Sequence, residues 1–430
     1  MSDLDRRAFL AASLRYAAGF AGLGLLAGAA RAGEAPPPPA APAWRADPSG
    51  LLDLAPGYAC TVLQRSGQAM SDGTVVPMAL DGMGCFATAD GWTLVRNHEL
   101  GTDPGEQRAS PFANGLGQVP AARVHRADAW GGTTTVVLDP RTLAVASSFV
   151  SLAGTNRNCA GGVTPWGSWL TCEEVDIRTA PAEHGWVFEV PAAARAAVEP
   201  VPLRALGRCR HEAAVIDPRT GIVYLTEDER VGFLYRCIPT ERGALAKGGR
   251  LQALVLDGLK DTANHHEPAM PIGQAIAGRW VDIPDPATCS VQARRAGAVR
   301  ISRGEGLWWD GDGCWVTATN GGPNQVGQLF LLRPGAETTT LTLVHELRRD
   351  GQLLSPDNLC LAPGGSLVVC EDHPNARCHL VLVGKDGTMR RFARSHGTEF
   401  AGACFSPDGR VLFANLYDSA TVAITGPWAG

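Results

Sequence analysis

Turn glycines followed by short apolar strands recur along this chain. Six segments share a glycine, a mostly apolar strand and a polar residue six positions after the glycine: 91–97, 167–173, 221–227, 313–319, 365–371 and 409–415. Before each glycine lies another short strand that opens with polar or small residues, at Asp81, Asn158, His211, Gly304, Asp357 and Glu399. Two strands joined by a glycine turn form a β-hairpin, so the pattern predicts six hairpins in the same register.

The spacing of the hairpins indicates how they are arranged. Their glycines lie 76, 54, 92, 52 and 44 residues apart, close to the ~40 to 50 residues of a four-stranded propeller blade, with insertions in the first and third intervals. The 51 glycines and 30 prolines among 430 residues suit many short strands and turns. The sequence therefore predicts an all-β fold, a six-bladed β-propeller formed by residues 49–430 as a single domain. A β-sandwich whose hairpins repeat without closing is the alternative.

Acidic residues concentrate at the strand ends that a propeller brings to one rim, where the first strand of each hairpin begins and the second ends. The candidate metal ligands there are Glu99, Cys159, Glu173, Glu174, Glu212, Glu227, Asp228, Glu305, Asp357 and Glu371. So many carboxylates cannot stay ionised together without cations between them, because like charges at short range raise one another's pKa. Carboxylates suit Ca²⁺, and carboxylates with a thiolate suit Fe³⁺. The alternative is that these acids fan outward into solvent.

Three arginines each lie two residues before a candidate ligand. Arg157, Arg210 and Arg303 precede, respectively, Cys159, Glu212 and Glu305. In an extended segment, side chains two residues apart leave the same face of the strand, so the arginines would stand beside the ligands. The planar guanidinium group suits phosphate; the alternative is that each arginine neutralises the neighbouring acids. Arg303, Arg157 and the adjacent Asn158 are the candidate catalytic residues.

The N-terminal residues are predicted to direct export. Twin arginines precede a moderately apolar stretch over 11–30, which ends in the small-residue pattern Ala30-Arg31-Ala32. This arrangement is typical of a cleaved twin-arginine signal peptide over 1–32, followed by a Pro/Ala-rich linker over 33–48. A membrane anchor is the alternative, but the glycines of the stretch make it a weak span. We therefore expect the twin-arginine translocase as a partner during export, a periplasmic or secreted protein, and no stable membrane span in the mature form.

The overall composition argues against nucleic acid as a partner. With 45% hydrophobic residues, 19% charged residues and a net charge of −5, the chain is neither a disordered polyanion nor a basic protein. Most of the twelve cysteines are expected to be small buried side chains. Cys159 differs because it lies among polar residues in a loop-like segment, which favours a thiolate ligand. A buried or oxidised cysteine is the alternative.

Several motifs together resemble those of the PhoX-type alkaline phosphatases. Besides the twin-arginine leader they are Asn97-His98-Glu99, Arg157-Asn158-Cys159-Ala160-Gly161-Gly162, Leu170-Thr171-Cys172-Glu173-Glu174, Arg210-His211-Glu212, Arg303-Gly304-Glu305-Gly306 and Ser355-Pro356-Asp357-Asn358-Leu359. The resemblance runs from about residue 50 to the C-terminus. It implies a secreted hydrolase of phosphate monoesters whose six-bladed propeller holds Ca²⁺ and Fe³⁺ on its axis, bridged by an oxo group.

The resemblance also implies roles for individual residues. Iron would be bound by Cys159 and Glu305, and phosphate by Arg303. Iron or calcium would be held by Glu174, Glu212 and Asp228. A metal-bound oxo or hydroxo group would be the nucleophile, so no side chain would be phosphorylated. We expect a monomer that acts on a small-molecule phosphate ester; the alternatives are a calcium-dependent propeller lactonase and a non-enzymatic propeller binding module with structural metals.

Overall fold

The structure, a computed structural model, describes residues 42–109, 119–267, 269–335, 338–373 and 377–428. The predicted signal peptide and residues 33–41 of the predicted linker lie outside these ranges. Within them the chain forms an all-β, propeller-like arrangement of antiparallel sheets. No helix in these ranges has the length and apolar character needed to cross a membrane.

The described part of the chain contains 26 strands and one α-helix. The strands are β1 (Arg45–Ala46), β2 (Leu52–Leu54), β3 (Ala59–Arg65), β4 (Leu80–Thr88), β5 (Gly91–His98), β6 (Gly131–Leu138), β7 (Val145–Thr155), β8 (Asn158–Val163), β9 (Ser168–Glu173), β10 (Val187–Pro191), β11 (His211–Ile216), β12 (Val223–Glu227), β13 (Leu234–Pro239), β14 (Gly249–Leu256), β15 (Ala275–Asp282), β16 (Gly304–Trp309), β17 (Cys314–Ala318), β18 (Gln328–Arg333), β19 (Thr339–Glu346), β20 (Pro356–Leu361), β21 (Leu367–Glu371), β22 (His379–Val383), β23 (Met389–Ser395), β24 (Phe400–Phe405), β25 (Val411–Leu416) and β26 (Ala420–Thr425). The helix is α1 (Cys289–Arg295), and short 3₁₀ helices span Glu106–Ala109, Ala121–Arg123, Arg204–Leu206, Leu245–Lys247 and Pro286–Thr288.

All six predicted hairpins are present. They are the antiparallel pairs β4–β5, β8–β9, β11–β12, β16–β17, β20–β21 and β24–β25. Five of the six turn glycines have a positive φ, between 75° and 128°, a conformation that favours glycine over other residues. The first strands of the hairpins pack side by side in chain order, and β24 packs against β4, so these six strands form a closed ring. The prediction of an all-β propeller-like fold is therefore confirmed.

The sheets, however, do not divide the chain into six separate blades. One sheet has nine strands in the order β11-β12-β13-β14-β15-β19-β18-β17-β16 and joins the third hairpin to the fourth. The two hairpins are joined because β15 pairs with β14 on one side and with β19 on the other. Since β15 lies in the long third interval, the insertion supplies a strand whose two edges are both hydrogen-bonded.

Strands from the two ends of the chain close the ring. The sheet of the sixth hairpin has the order β24-β25-β26-β3, in which N-terminal β3 pairs with C-terminal β26. Arg96 of β5 reinforces the closure, because its buried guanidinium donates to Gln64 of β3 and to Thr421 of β26, each at 2.7 Å. Strand β1, which falls within the predicted linker, pairs with β2, and β2 pairs with β23 of the fifth hairpin's sheet.

Packing near the axis explains the paired glycines of the Asn-Cys-Ala-Gly-Gly motif. A Cβ on Gly161 would lie 1.8 Å from the carbonyl oxygen of Leu170 in the same hairpin. A Cβ on Gly162 would lie 1.7 Å from the carbonyl oxygen of Ala214 in the next hairpin. Only glycine allows strands to approach this closely. Farther from the axis, apolar side chains fill the space between neighbouring sheets, and nine of the twelve cysteines are buried, as predicted.

Candidate metal and phosphate site

One backbone hydrogen bond recurs in all six hairpins at the same rim of the ring. The residue directly after the second strand, here called the outer position, donates its N–H to the residue directly before the first strand, here called the entry position. The bond lengths are 2.8 to 3.3 Å. The outer positions are Glu99, Glu174, Asp228, Thr319, Asp372 and Tyr417, and the entry positions are Ala79, Arg157, Arg210, Arg303, Ser355 and Glu399.

The second residue of each first strand, here called the inner position, carries most of the candidate ligands. In the first five hairpins this residue lies within a shift of the strand register, between the first and the fourth residue of the strand. Such a bulge bends the strand and re-aims a side chain. The inner positions are Asp81, Cys159, Glu212, Glu305, Asp357 and, in the sixth hairpin, Ala401.

These inner side chains, together with two outer ones, form three overlapping groups that could hold cations. Within each group, one ligand atom from each residue lies within 4.8 Å of the others. The groups are Asp81 with Glu99 and Cys159, Cys159 with Glu174 and Glu212, and Glu212 with Glu305 and Asp357. Because Cys159 and Glu212 each belong to two groups, the ligands run continuously across the centre of the ring.

Several buried oxygens of this cluster have no hydrogen-bond partner among the described residues. They are both carboxylate oxygens of Glu212, Oδ1 of Asp81 and Oε1 of Glu305, the last of which forms an ion pair with Arg303. Burying a carboxylate without a partner is costly, and a bound cation would remove that cost. Carboxylates fit Ca²⁺, and carboxylates combined with one thiolate fit Fe³⁺. The residues present therefore fit the metals that the sequence predicts.

Burial and mutual repulsion keep protons on the cluster when no cation is bound. Burial raises the pKa of Glu212 well above its usual range, and the charges of Glu305 and Asp357 raise it further. Burial likewise raises the pKa of Asp357 to about 8. It also raises the pKa of the Cys159 thiol, with the charge of Asp81 as the next cause. Cation binding displaces such protons, so the affinity of the cluster for metal rises with pH.

Arg303 lies between this cluster and solvent. Its Nε and Nη2 each donate to the carboxylate of Asp228 at 2.9 Å, and Nη2 is also 2.9 Å from Glu305. The pKa of Arg303 is raised, chiefly by the charge of Glu305. Its side chain is 32% exposed, so the guanidinium is oriented by acids on one side and is open to an incoming anion on the other.

Arg210 and Arg157 occupy the same entry position in neighbouring hairpins. Arg210 forms an ion pair with Glu174 at 2.6 Å, and Arg157 forms ion pairs with Glu99 at 3.3 Å and Glu106 at 3.0 Å. Both side chains are partly exposed, at 39% and 42%. Arg157 and Arg303 have φ values of 50°, and Ala79 and Ser355 at the same entry position have 53° and 46°. The left-handed backbone is therefore a feature of the hairpin geometry and not of the arginines alone. The structure thus brings together all three predicted arginines at one rim.

Four predicted ligands are in none of the three ligand groups. Asp228 takes an outer position and is held by Arg303; the other three, Glu173, Glu227 and Glu371, lie outside the cluster. Each is the last residue of its strand, and successive residues of a strand point to opposite sides, so the residue after it takes the outer position instead. The Glu173 carboxylate accepts hydrogen bonds from the backbone of Gly185 and Trp186 and contacts Nδ1 of His184 at 2.8 Å. The partners of the other two carboxylates are Tyr235 and Ser290 for Glu227, and Leu354, His379 and Arg391 for Glu371. In this structure these partners, and not the cluster, engage the three carboxylates, and their binding of metal stays a prediction.

Asn158, predicted to be catalytic, is also directed away from the cluster. Its Nδ2 donates to Oγ1 of Thr171 at 2.9 Å, and its Oδ1 accepts from the Thr155 hydroxyl at 2.6 Å. The side chain is fully buried, because it points opposite to the adjacent Cys159 on the same strand. Asn158 therefore ties β8 to β7 and β9 and positions the strand that carries Cys159.

The sequence analysis misses two residues of the site. Asp81 lies beside Cys159, whose Sγ donates to Asp81 Oδ2 at 3.4 Å. A signal for it exists, because Asp81 is the acid that opens the first predicted hairpin. Tyr417 takes the outer position of the sixth hairpin, and its hydroxyl donates to Oε2 of Glu99 at 2.7 Å. Tyr417 itself is neither acidic nor basic, so a search of the sequence for charged side chains does not find it.

Comparison with solved structures gives the following similarities. The structure of Pseudomonas fluorescens PhoX in complex with vanadate, a transition state analogue, has a TM-score of 0.69 at 19% identity, over 88% of this chain and 97% of that chain. A gluconolactonase from Xanthomonas campestris has a TM-score of 0.42 at 14% identity, over 87% and 98% of the two chains. The periplasmic gluconolactonase of Pseudomonas aeruginosa has a TM-score of 0.41 at 16% identity, over 85% and 89%.

Sequence comparisons give the family. Comparison with curated protein sequences produced no match. The sequence model of the alkaline phosphatase PhoX family, in contrast, matches residues 41–148 and 141–419. These ranges include the whole ring of hairpins and every residue of the cluster. The protein is therefore a metal-dependent phosphatase that belongs to the alkaline phosphatase PhoX family.

Proposed function

We propose that this phosphatase hydrolyses small-molecule phosphate monoesters at an axial site that holds Ca²⁺ and Fe³⁺. The observation that carries the proposal is the position of Arg303 beside the cluster, 2.9 Å from Glu305, which in turn shares a ligand group with the unpartnered Glu212. A phosphate ester needs cations for its charged oxygens and a planar donor that fits their geometry. This rim of the ring offers ligand groups for such cations and, in Arg303, such a donor.

We further propose that the six hairpins are the inner halves of six blades. Two observations support this: the same backbone hydrogen bond recurs in each hairpin, and the first strands close into a ring of six. The nine-stranded sheet then consists of two blades whose outer edges are joined by β15.

The two kinds of cation would use different parts of the cluster. The groups around Cys159 combine a thiol with carboxylates, which suits Fe³⁺, whereas the group of Glu212, Glu305 and Asp357 is entirely carboxylate, which suits Ca²⁺. Glu305 shares no group with Cys159, so the geometry favours calcium for Glu305, where the family resemblance implies iron. Bound cations would supply Lewis acidity, which neutralises charge on the phosphoryl group and makes water a stronger nucleophile at neutral pH.

The arginines would bind and orient the phosphoryl group. Asp228 accepts two parallel hydrogen bonds from Arg303 and so fixes the plane of its guanidinium before substrate arrives. Arg157 and Arg210 take the same entry position in neighbouring hairpins, so the three arginines follow one another along the rim. Donors fixed in advance stabilise the charge of a transferring phosphoryl group without having to reorganise during the reaction.

We also propose that the protein is exported by the twin-arginine translocase and acts in the periplasm or outside the cell as a monomer. The support is the sequence of residues 1–32, with its paired arginines, moderately apolar stretch and small residues before the cleavage site. The linker over 33–48 would then join the leader to the propeller-like domain.

Elemental analysis combined with phosphatase assays tests the central proposal. The mature protein, expressed with iron and calcium available, should contain both metals and should hydrolyse an aryl phosphate at alkaline pH in a chelator-sensitive manner. Cys159→Ser should lower iron content and turnover together, because a hydroxyl is a poorer ligand for iron than a thiolate. The matched control is Cys60→Ser, which changes a partly buried cysteine in β3, outside the ligand groups, and should keep both.

Two outcomes would contradict the proposal. Full activity in an iron-free Cys159→Ser protein would remove the thiolate from the mechanism. Calcium alone, with lactone hydrolysis and no phosphate hydrolysis, would favour the lactonase alternative.

A further inference from the structure

A cavity of about 270 Å³ opens beside the cluster, in the sector of the fifth and sixth hairpins. It is lined by Asp372, His373, Cys378, Gly397, Thr398, Glu399, Tyr417 and Asp418. None of the described residues that line it is a lysine or an arginine. The cavity is open to solvent, so it is accessible to a small molecule.

The cavity is at the same level of the rim as the arginines. Glu399 takes the entry position that Arg157, Arg210 and Arg303 take in the second, third and fourth hairpins. Tyr417 takes an outer position, as Glu99 and the other rim acids do. One side of the rim therefore presents arginines for the phosphoryl group, and the other side presents a cavity without them.

Direct contacts join the cavity to the cluster. The Tyr417 hydroxyl in the cavity wall donates to Glu99 at 2.7 Å, and Glu99 belongs to the ligand group of Asp81 and Cys159. The inner position of the sixth hairpin is Ala401, which offers no ligand atom, so the sixth hairpin contributes no inner carboxylate or thiol to the centre. An ester whose phosphoryl group lies at the arginines would therefore have room for its alcohol part on this side.

The charge of the cavity indicates which alcohols it accepts. Three of its lining residues are acidic: Asp372, Glu399 and Asp418. Burial and the adjacent Asp372 raise the pKa of Glu399 to about 10, so the negative charge of the wall comes from the other two. The Thr398 hydroxyl donates to Oδ2 of Asp418 at 3.3 Å and orients that carboxylate at the solvent side. A concave wall of one charge attracts the opposite charge and repels its own.

We infer that this cavity receives the alcohol part of the substrate and that its carboxylates favour phosphate esters of amino alcohols over esters with a further negative charge. The inference rests on the proposed function, because it takes the phosphoryl group to be bound by the arginines. It adds a substrate class, the phosphate esters of primary amino alcohols, that the metal cluster alone does not specify.

Three esters of similar size test this inference on the metal-loaded enzyme: 2-aminoethyl phosphate, 2-hydroxyethyl phosphate and phosphoglycolate. We expect kcat/KM to be about fivefold higher for the ammonium ester than for the neutral one, and lowest for the anionic one. Asp418→Asn should reduce the preference for the ammonium ester about twofold. The matched control is Asp408→Asn, an exposed acid in the turn between β24 and β25 at the opposite end of the hairpin, which should leave the preference unchanged.

The outcomes separate the inference from the function on which it rests. If none of the three esters nor an aryl phosphate is hydrolysed, the proposed function is wrong. If all are hydrolysed and the preference is absent, or is insensitive to Asp418→Asn, the inference alone is wrong. If Asp418→Asn removes one bound calcium per chain, the carboxylates hold a cation and the alcohol subsite is likewise refuted.

Discussion

Removing the cations should make the stability of the folded protein fall as pH rises. In the metal-free protein, burial raises the pKa of Asp357 from its ordinary value of 3.8 to about 8. Below pH 3.8 this carboxyl is protonated in both the folded and the unfolded states, so it does not affect the pH dependence. Between pH 3.8 and 8 only the unfolded state loses its proton, and stability declines with pH; above pH 8 the loss is complete and constant.

The expected size of the effect follows from the shift. One group with a raised pKa costs about 1.4 kcal/mol for each pH unit between the two pKa values. From pH 5.5 to pH 8, Asp357 alone should therefore lower the free energy of unfolding by about 3 kcal/mol. Burial raises the pKa of Glu212 and Glu305 in the same direction, and these groups add to the loss. Bound cations displace the protons, so the metal-loaded protein should lack this dependence.

Denaturant unfolding at pH 5.5 and pH 8, with chelator or with calcium and iron, measures the effect. The free energy of unfolding should drop between the two pH values only in the chelated protein. Asp357→Asn should remove about 3 kcal/mol of that drop, because the amide does not titrate. Equal stability of the chelated protein at both pH values, or an unchanged drop in the Asp357→Asn variant, would refute the reasoning.

Three further predictions address single residues. Arg303→Lys should lower kcat/KM for an aryl phosphate about 10- to 100-fold, because lysine lacks the planar fork; steady-state kinetics should show no such loss for the exposed control Arg279→Lys. Glu173→Ala should destabilise the fold by about 3 kcal/mol by leaving buried donors unpaired, yet elemental analysis should find the metal content intact; loss of metal would return Glu173 to the ligand set. Gly162→Ala should lower the melting temperature strongly, because its Cβ would lie 1.7 Å from a backbone oxygen; an unchanged melting temperature would contradict the close packing of the ring.

The hairpins were predictable because their signal is local. A turn glycine, followed by an apolar strand and a polar residue at a fixed distance, describes one turn and one strand, and six copies predicted the register of the hairpins. The nine-stranded sheet was not predictable in this way. It depends on the pairing of β15, which is inserted in the third interval, with β19 of the fourth hairpin's sheet. The local sequence of β15 does not indicate which strand it will pair with.

The site was predictable as a region but not side chain by side chain. Glu173 and Glu174 are adjacent and chemically identical, yet one accepts hydrogen bonds from Gly185 and Trp186 while the other lies in a ligand group. Which of the two turns inward is decided by where the strand ends against its partner, a long-range property. The same alternation separates Asn158 from Cys159. Asp81 was within reach of the sequence, since it is the acid that opens the first predicted hairpin.

The pairing of β3 with β26 has a consequence for biosynthesis. The two strands come from opposite ends of the domain, so the last edge of the ring cannot be closed until residues 420–425 have left the ribosome. Until then β3 presents an unpaired edge that invites association with other chains. The ligands of the cluster span residues 81 to 357, and their mutual distances depend on the closed ring. Loading of the metals must accordingly follow completion of the chain, and a prematurely terminated protein would be both apo and prone to aggregate.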